Sequence, residues 1–188
     1  MTATLPSSLS IGNILAYNNG KYRILKMSHV KPGKGGAFYQ IEMKEIKTGT
    51  KLHERIRSED KLDRLETSTK DFKFLYRSGN DITIMEEETY EQIEVPVDML
   101  AGFEMFLDED MKLMAEYVGE ELVNIKLPQK LFGVVGETDP VLKNAAINPS
   151  YKHAVLENGY VVDIPPYIEQ GTKVIINSET GEFIEKAK

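Results

Sequence analysis

The sequence predicts an all-β protein built as three consecutive small β-barrels. Strand signals dominate the chain, as short alternating runs rich in β-branched and aromatic residues. Between them stand turn residues, chiefly Gly, Asn and Pro. Over 188 residues, such modules hold about 60 residues each, so cores are thin and packing between neighbours matters.

The first module is assigned to residues 1–66. Asn18-Asn19-Gly20 separates Asn13–Tyr17 from Lys21–Leu25, a short-hairpin signature. Phe38–Met43 and the alternating run Ile41–Ile46 lead to a turn at Thr48-Gly49-Thr50, and Lys51–Ile56 continues the pattern. The result is a barrel of about five strands, with the polar stretch Ser58–Lys70 as its exit and linker. The second module, 67–128, opens with Phe72–Tyr76, turns at Ser78-Gly79-Asn80 and returns through Ile82–Met85. Leu100–Tyr117 has loose helical spacing and reads as a short helix or loop. Glu121–Leu127 alternates again until Pro128 ends it. The third module, 129–188, holds strands at Leu131–Val135, Tyr160–Ile164 and Thr172–Ile176, a loop over 137–152, and a closing turn at Asn177–Gly181 before Glu182–Ile184.

One turn stands apart. In Lys31-Pro32-Gly33-Lys34-Gly35-Gly36-Ala37-Phe38, three glycines and a proline surround one lysine, with strands predicted on both sides. Pro32 fixes φ, and the glycines admit turn conformations that a side chain forbids. The expectation is a hairpin tip presenting Lys34 on a sterically bare arm, with no carboxylate in the loop to neutralise it. Such a tip is either a glycine-rich turn with an incidental solvated lysine or a phosphate-seeking finger. A nucleotide-binding P-loop is excluded, because Gly35 stands where Ser or Thr is required and the earlier glycine is missing.

Composition narrows the function classes. Hydrophobic residues make up 41% and charged residues 28%, values usual for a soluble globular chain. With no Cys, disulfide frameworks and cysteine zinc sites are impossible. The N-terminal segment lacks the basic and apolar regions of a signal peptide, and no apolar run approaches a membrane span, so the expected location is the cytoplasm, with no membrane partner. The net charge of −7 is unevenly distributed: residues 1–66 carry 12 Lys and Arg against 7 Asp and Glu, whereas residues 67–128 carry 5 against 15. Phosphate contacts are therefore expected in the first segment. His29, His53 and His153 lack ligand-like spacing, so no metal is expected. Neither a nucleophilic triad nor a GxSxG motif is present, and a Schiff-base role for Lys34 would need burial. The chain does not read as an enzyme.

Two motifs together resemble the bacterial elongation factor P family, related to archaeal and eukaryotic initiation factor 5A. The first is the Lys31–Phe38 tip with Thr48-Gly49-Thr50 downstream. The second comprises Lys152, Ala154, Gly159, Val162, Pro165, Ile168 and Gly171 at matching spacing, and the resemblance spans essentially the whole chain. It implies an SH3-like (KOW-like) barrel followed by two OB-folds, in an L shape mimicking tRNA. It further implies a monomeric factor that binds the ribosome between the P and E sites and relieves stalling at consecutive prolines. Lys34, flanked by Lys31, Pro32, Gly33, Gly35 and Gly36, would reach the acceptor end of the P-site peptidyl-tRNA. No dissociable cofactor is implied; in many members the tip lysine carries a β-lysyl-type extension added by a lysyl-tRNA-synthetase-like enzyme.

The chain departs from the family pattern in its third module. Pro140–Ala146 stands where a Pro-Gly-x-Lys-Gly-Asp-Thr loop is usual, so Asn144-Ala145-Ala146 replaces the element that approaches the exit-site codon. Phe183 occupies a position usually held by Tyr, and Lys186 one where Arg is common; charge for RNA contact is kept there, but the bidentate fork is not. Two rivals follow: a paralogue acting in a different stalling context, and a generic OB-fold binder of single-stranded nucleic acid. The latter needs aromatic platforms on a basic groove, whereas the aromatics here fall mostly at core-like strand positions.

Overall fold

The computed structural model describes residues 2–33, 35–139 and 151–187. The all-β expectation is borne out: three antiparallel sheets dominate, joined by turns and three short 3-10 segments.

The first sheet contains β1 (Thr2–Thr4), β2 (Ile14–Tyr17), β3 (Gly20–Val30), β4 (Phe38–Glu45), β5 (Lys51–Arg57) and β6 (Leu62–Leu65), in the order β1-β6-β2-β3-β4-β5. Tyr17 pairs with Gly20, leaving Asn18 and Asn19 as a two-residue loop. Both adopt positive φ, 45° and 62°, the conformation that matches a tight hairpin to strand twist. Alternate side chains turn inward, so Leu15, Ile24, Ile41, Met43, Ile56 and Leu62 form one buried cluster with Leu9. The barrel has one strand more than the sequence suggested. Within the stretch read as a linker, β6 pairs with both β1 and β2. Leu62 is buried there, but its polar neighbours Asp63 and Arg64 are exposed, which hid the strand in the sequence pattern.

The second sheet runs β11-β10-β7-β8-β9, with β7 (Ser68–Ser78), β8 (Asp81–Glu86), β9 (Gln92–Pro96), β10 (Lys112–Val118) and β11 (Glu121–Lys126). The segment read as a short helix or loop is two 3-10 turns, Val97–Leu100 and Glu104–Phe106, followed by β10. Ala101, Gly102 and Asp110 take positive φ, which interrupts any continuous helix. Leu113 and Ala115 then alternate inward as a strand requires.

The third sheet runs β14-β13-β12-β15-β16, with β12 (Lys130–Thr138), β13 (Lys152–Leu156), β14 (Val161–Ile164), β15 (Lys173–Asn177) and β16 (Phe183–Lys186). Its core holds Leu131, Val135, Leu156, Val162, Ile164, Val174 and Ile176, and is completed by Phe106 from the 3-10 turn before β10. The turn after β15 closes as the sequence suggested: Asn177 Oδ1 accepts the Glu179 and Thr180 N–H groups at 2.7 and 3.2 Å.

The chain forms two compact units. One contains the residues up to Thr69 together with Glu116–Val123, and the other contains Lys70–Ala115 and the residues from Asn124 onward. Glu116–Val123, which groups with the first barrel, also makes ion pairs to it. Glu121 accepts from Lys21 and lies 3.5 Å from Lys47, and Glu116 accepts from Arg23 at 3.0 Å. No helix among the described residues is long and apolar enough to cross a membrane.

Candidate nucleic-acid interface at the first hairpin tip

β3 and β4 are long strands in continuous register from Met27↔Ile41 out to Val30↔Phe38, so their connection stands at the end of a rigid ladder. The connecting residues Lys31, Pro32, Gly33, Gly35 and Gly36 are all exposed, and Lys34 lies outside the described residues. Gly35 has φ of 104°, and a Cβ added at Gly33, Gly35 or Gly36 meets nothing within 4 Å. Gly35 is thus required by backbone conformation. The other two leave open space around the loop.

The base of the tip is held from both faces of the sheet. On the inward face, His29 stacks on Tyr39 with ring centres 4.4 Å apart, and Ser58 Oγ lies 3.5 Å from His29 Nε2. Tyr39 packs against the barrel core, and His29 is exposed on top of it. On the outward face, in-register pairing aligns Val30, Phe38 and Arg57, and the next row of that face carries Gln40 and Arg55. Phe38 is only 8% exposed yet belongs outside the barrel's core cluster. The Arg55 guanidinium covers it, 3.5 Å from the ring centroid. The Ser58 N–H donates to Ala37 O at 3.1 Å and the Arg57 N–H to Asp60 Oδ2 at 3.2 Å, which fix the chain leaving β5. A groove of 610 Å³ results, lined among others by Phe38, Arg55, Arg57, Ser58 and Glu59.

The sequence pattern singles out the tip, with Phe38 as its last residue, but not Arg55 or Arg57. A signal is nonetheless present: in Arg55-Ile56-Arg57 the inward residue is Ile56, so period-2 alternation sends both arginines outward together. Five other basic residues of the first barrel are engaged with carboxylates: Lys21, Arg23, Lys26, Lys47 and Lys51. Beyond the pairs to Glu121 and Glu116, Lys26 and Lys51 lie 3.7 and 3.5 Å from Glu42. Among the remaining sites, Lys186 is exposed on β16, and Asn144, Ala145 and Ala146 lie outside the described residues. Of the histidines, His153 contacts the Asp163 carboxylate and His53 is exposed beside Glu42 in the ladder.

Comparison with known proteins identifies the family of the chain. Elongation factor P of Ruegeria sp. (strain TM1040) is 44% identical over 176 residues, 94% of each chain. The chain belongs to the elongation factor P family. Elongation factor P of Rickettsia peacockii (strain Rustic) is 42% identical over 183 residues, 97% of each chain. Three family profiles match in succession: the elongation factor P KOW-like domain over residues 7–62, its OB domain over 67–125, and the elongation factor P C-terminal domain over 134–186. Among solved structures, eukaryotic translation initiation factor 5A from Methanococcus jannaschii superposes with a TM-score of 0.53 at 23% identity, covering 68% of this chain and 92% of that one. That likeness speaks to fold alone. The family is one of translation factors rather than enzymes, and its members combine a KOW-like N-terminal barrel with OB-type barrels.

Proposed function

We propose that this elongation factor acts in the cytoplasm on the ribosome, between the P and E sites, and relieves stalling at consecutive prolines. Its tip lysine, Lys34, reaches the acceptor end of the P-site peptidyl-tRNA and holds it for attack. The carrying observation is the tip itself: an exposed, glycine-rich connection with open space around it, on a rigid ladder of a basic first segment. Such a connection carries a cation into a narrow RNA cavity without steric conflict.

The chemistry asked of it is positional. Proline is a conformationally restricted nucleophile, and an ester carbonyl held in near-attack geometry regains rate without any acid or base from the factor. A cation near the phosphates of the acceptor end suffices, and the ribosome remains the catalyst. A β-lysyl-type extension of Lys34, installed by a lysyl-tRNA-synthetase-like enzyme, lengthens the reach and keeps the charge. Intact-mass analysis of the Lys34 peptide from the native host tests that part.

Lys34→Ala tests the whole. Translation of a Pro-Pro-Pro reporter by stalled ribosomes should lose most of its stimulation, while the melting temperature of the variant stays at the wild-type value. Full stimulation by Lys34→Ala would refute the proposal. The replaced loop at Asn144-Ala145-Ala146 favours one second reading, a paralogue serving another stalling context. Ribosome profiling in a deletion strain separates the two by the motifs at which ribosomes accumulate.

A further inference from the structure

We infer that Arg55 and Arg57, on the face of β5 beside Phe38, form a second RNA-backbone site beside the tip, gripping successive phosphates of a single strand. This rests on the ribosomal role proposed above and adds to it a site independent of Lys34.

Both arginines stand on the outward face of β5, separated by the inward Ile56. Two residues along a strand span about 6.6 Å, a spacing suited to neighbouring phosphates of an extended nucleic-acid strand. Neither guanidinium has a carboxylate within 4.0 Å among the described residues, in contrast to Lys21, Arg23, Lys26, Lys47 and Lys51 of the same barrel. Glu54, next to Arg55 in sequence, falls on the opposite face of β5 by strand alternation. Glu59, which also lines the groove, forms no ion pair with either arginine, and Asp60 is taken by the Arg57 backbone N–H.

Phe38 explains why the site is pre-organised. A large aromatic side chain, buried outside the barrel core, is covered by the flat face of Arg55 at 3.5 Å. Cation–π contact holds that guanidinium in one plane while its N–H groups still point at solvent. Less side-chain freedom is then lost when a phosphate docks, and the outer face of the guanidinium remains available to a stacked base. Arg57, further toward the tip, supplies the second cation. RNA is favoured over an acidic protein because the groove pairs fork-like donors with a stacking plane, and because the unpaired charge lies beside the tip already assigned to RNA.

The test uses the full chain, fluorescently labelled, titrated onto ribosomes stalled with diprolyl peptidyl-tRNA at several salt concentrations. Losing two phosphate contacts to single-stranded RNA should flatten the log–log salt slope by about 1.4. R55Q/R57Q is therefore expected to bind about tenfold more weakly near physiological salt, with that shallower slope. R57Q alone, which leaves the cover on Phe38 intact, should show half the slope change and an unchanged melting temperature. R55K/R57K should retain the wild-type slope. A benzophenone side chain placed at Ser58 should cross-link to RNA. Wild-type slope and affinity in R55Q/R57Q, or cross-links to protein alone, would overturn the inference and leave the role of Lys34 standing. Absence of ribosome binding by the wild-type chain would instead overturn both.

Discussion

Phe106 meets Tyr160 edge-on, with ring centres 5.0 Å apart and planes inclined at 63°. Phe106 comes from the 3-10 turn before β10, and Tyr160 from the turn before β14. Phe103 completes the cluster, 5.7 Å from Tyr160, and Asn158 donates to Met105 O at 3.1 Å. A segment preceding β10 thus supplies the stopper of the third barrel's core. Phe106→Ala should cost about 3–5 kcal/mol, the usual range for emptying a buried aromatic site. Urea unfolding checks it; a loss below about 1 kcal/mol would show that the third barrel closes without the plug.

Arg23 and Glu116 make a second test. Arg23 reaches Glu116 Oε2 at 3.0 Å and Gly12 O at 3.4 Å, and Glu116 is only 5% exposed. Glu116→Ala leaves a largely buried guanidinium without its carboxylate, at a cost of about 3 kcal/mol. Arg23→Met combined with Glu116→Leu should cost clearly less than the two single changes added together, because no charge remains buried. A double-mutant cycle on thermal stability measures the coupling.

Gly181 and Gly159 separate two roles of glycine. Both hold positive φ, 74° and 88°. A Cβ at Gly159 meets open space, whereas one at Gly181 collides with the Tyr160 hydroxyl. Gly159→Ala should therefore cost only the left-handed backbone term, about 1 kcal/mol. Gly181→Ala should cost more and also disturb the hydrogen bond from Tyr160 Oη to Gly181 O. Equal melting temperatures for the two variants would remove the steric part.

Acid should weaken the fold in a defined direction. Hydrogen bonding from Lys21, with Lys21 and Lys47 charges beside it, holds the Glu121 carboxyl below its usual range. Hydrogen bonding from Lys70 and then Thr89 does the same for Glu86, against the opposing effect of its burial. A carboxylate whose pKa is lower when folded stabilises the native state above its unfolded pKa, about 4.3, and loses that contribution as pH falls through the folded value. Melting temperature should thus fall as the pH drops below about 4. Glu121→Gln should flatten that acid limb and lower stability at neutral pH. An unchanged limb would mean that the ion pairs to Lys21 and Lys47 contribute nothing.

The loop at Asn144-Ala145-Ala146 yields a functional prediction. Two methyl side chains cannot make the hydrogen bonds of the usual Asp-Thr pair, so discrimination among exit-site codons should be weak. Restoring Gly-Asp-Thr at 144–146 should widen the spread of ribosome affinities measured across exit-site codons. No change on restoration would mean that this loop does not read the codon.

Hairpins whose strands and turn lie together in the chain are legible from the residues alone. Asn18-Asn19-Gly20, Gly79-Asn80 and Asn177–Gly181 demand left-handed backbone or side-chain caps that few other residues provide, and the alternating runs beside them fill the three cores. The tip at Lys31–Phe38 is legible for the same reason. Nothing local marks β6, whose Leu62 becomes a core residue only when β1 and β2 close over it. Nor does 100–117 announce β10, since acidic residues with loose helical spacing mask its alternation. The Phe106 plug on Tyr160, the Arg23–Glu116 pair and the Arg55 cover over Phe38 join residues 54, 93 and 17 positions apart. Sequence by itself determined the all-β class and the glycine-rich tip, because turn geometry and period-2 burial act between near neighbours. Tertiary structure alone decided which cations are neutralised, because charge pairing depends on distances that only the closed barrels bring about.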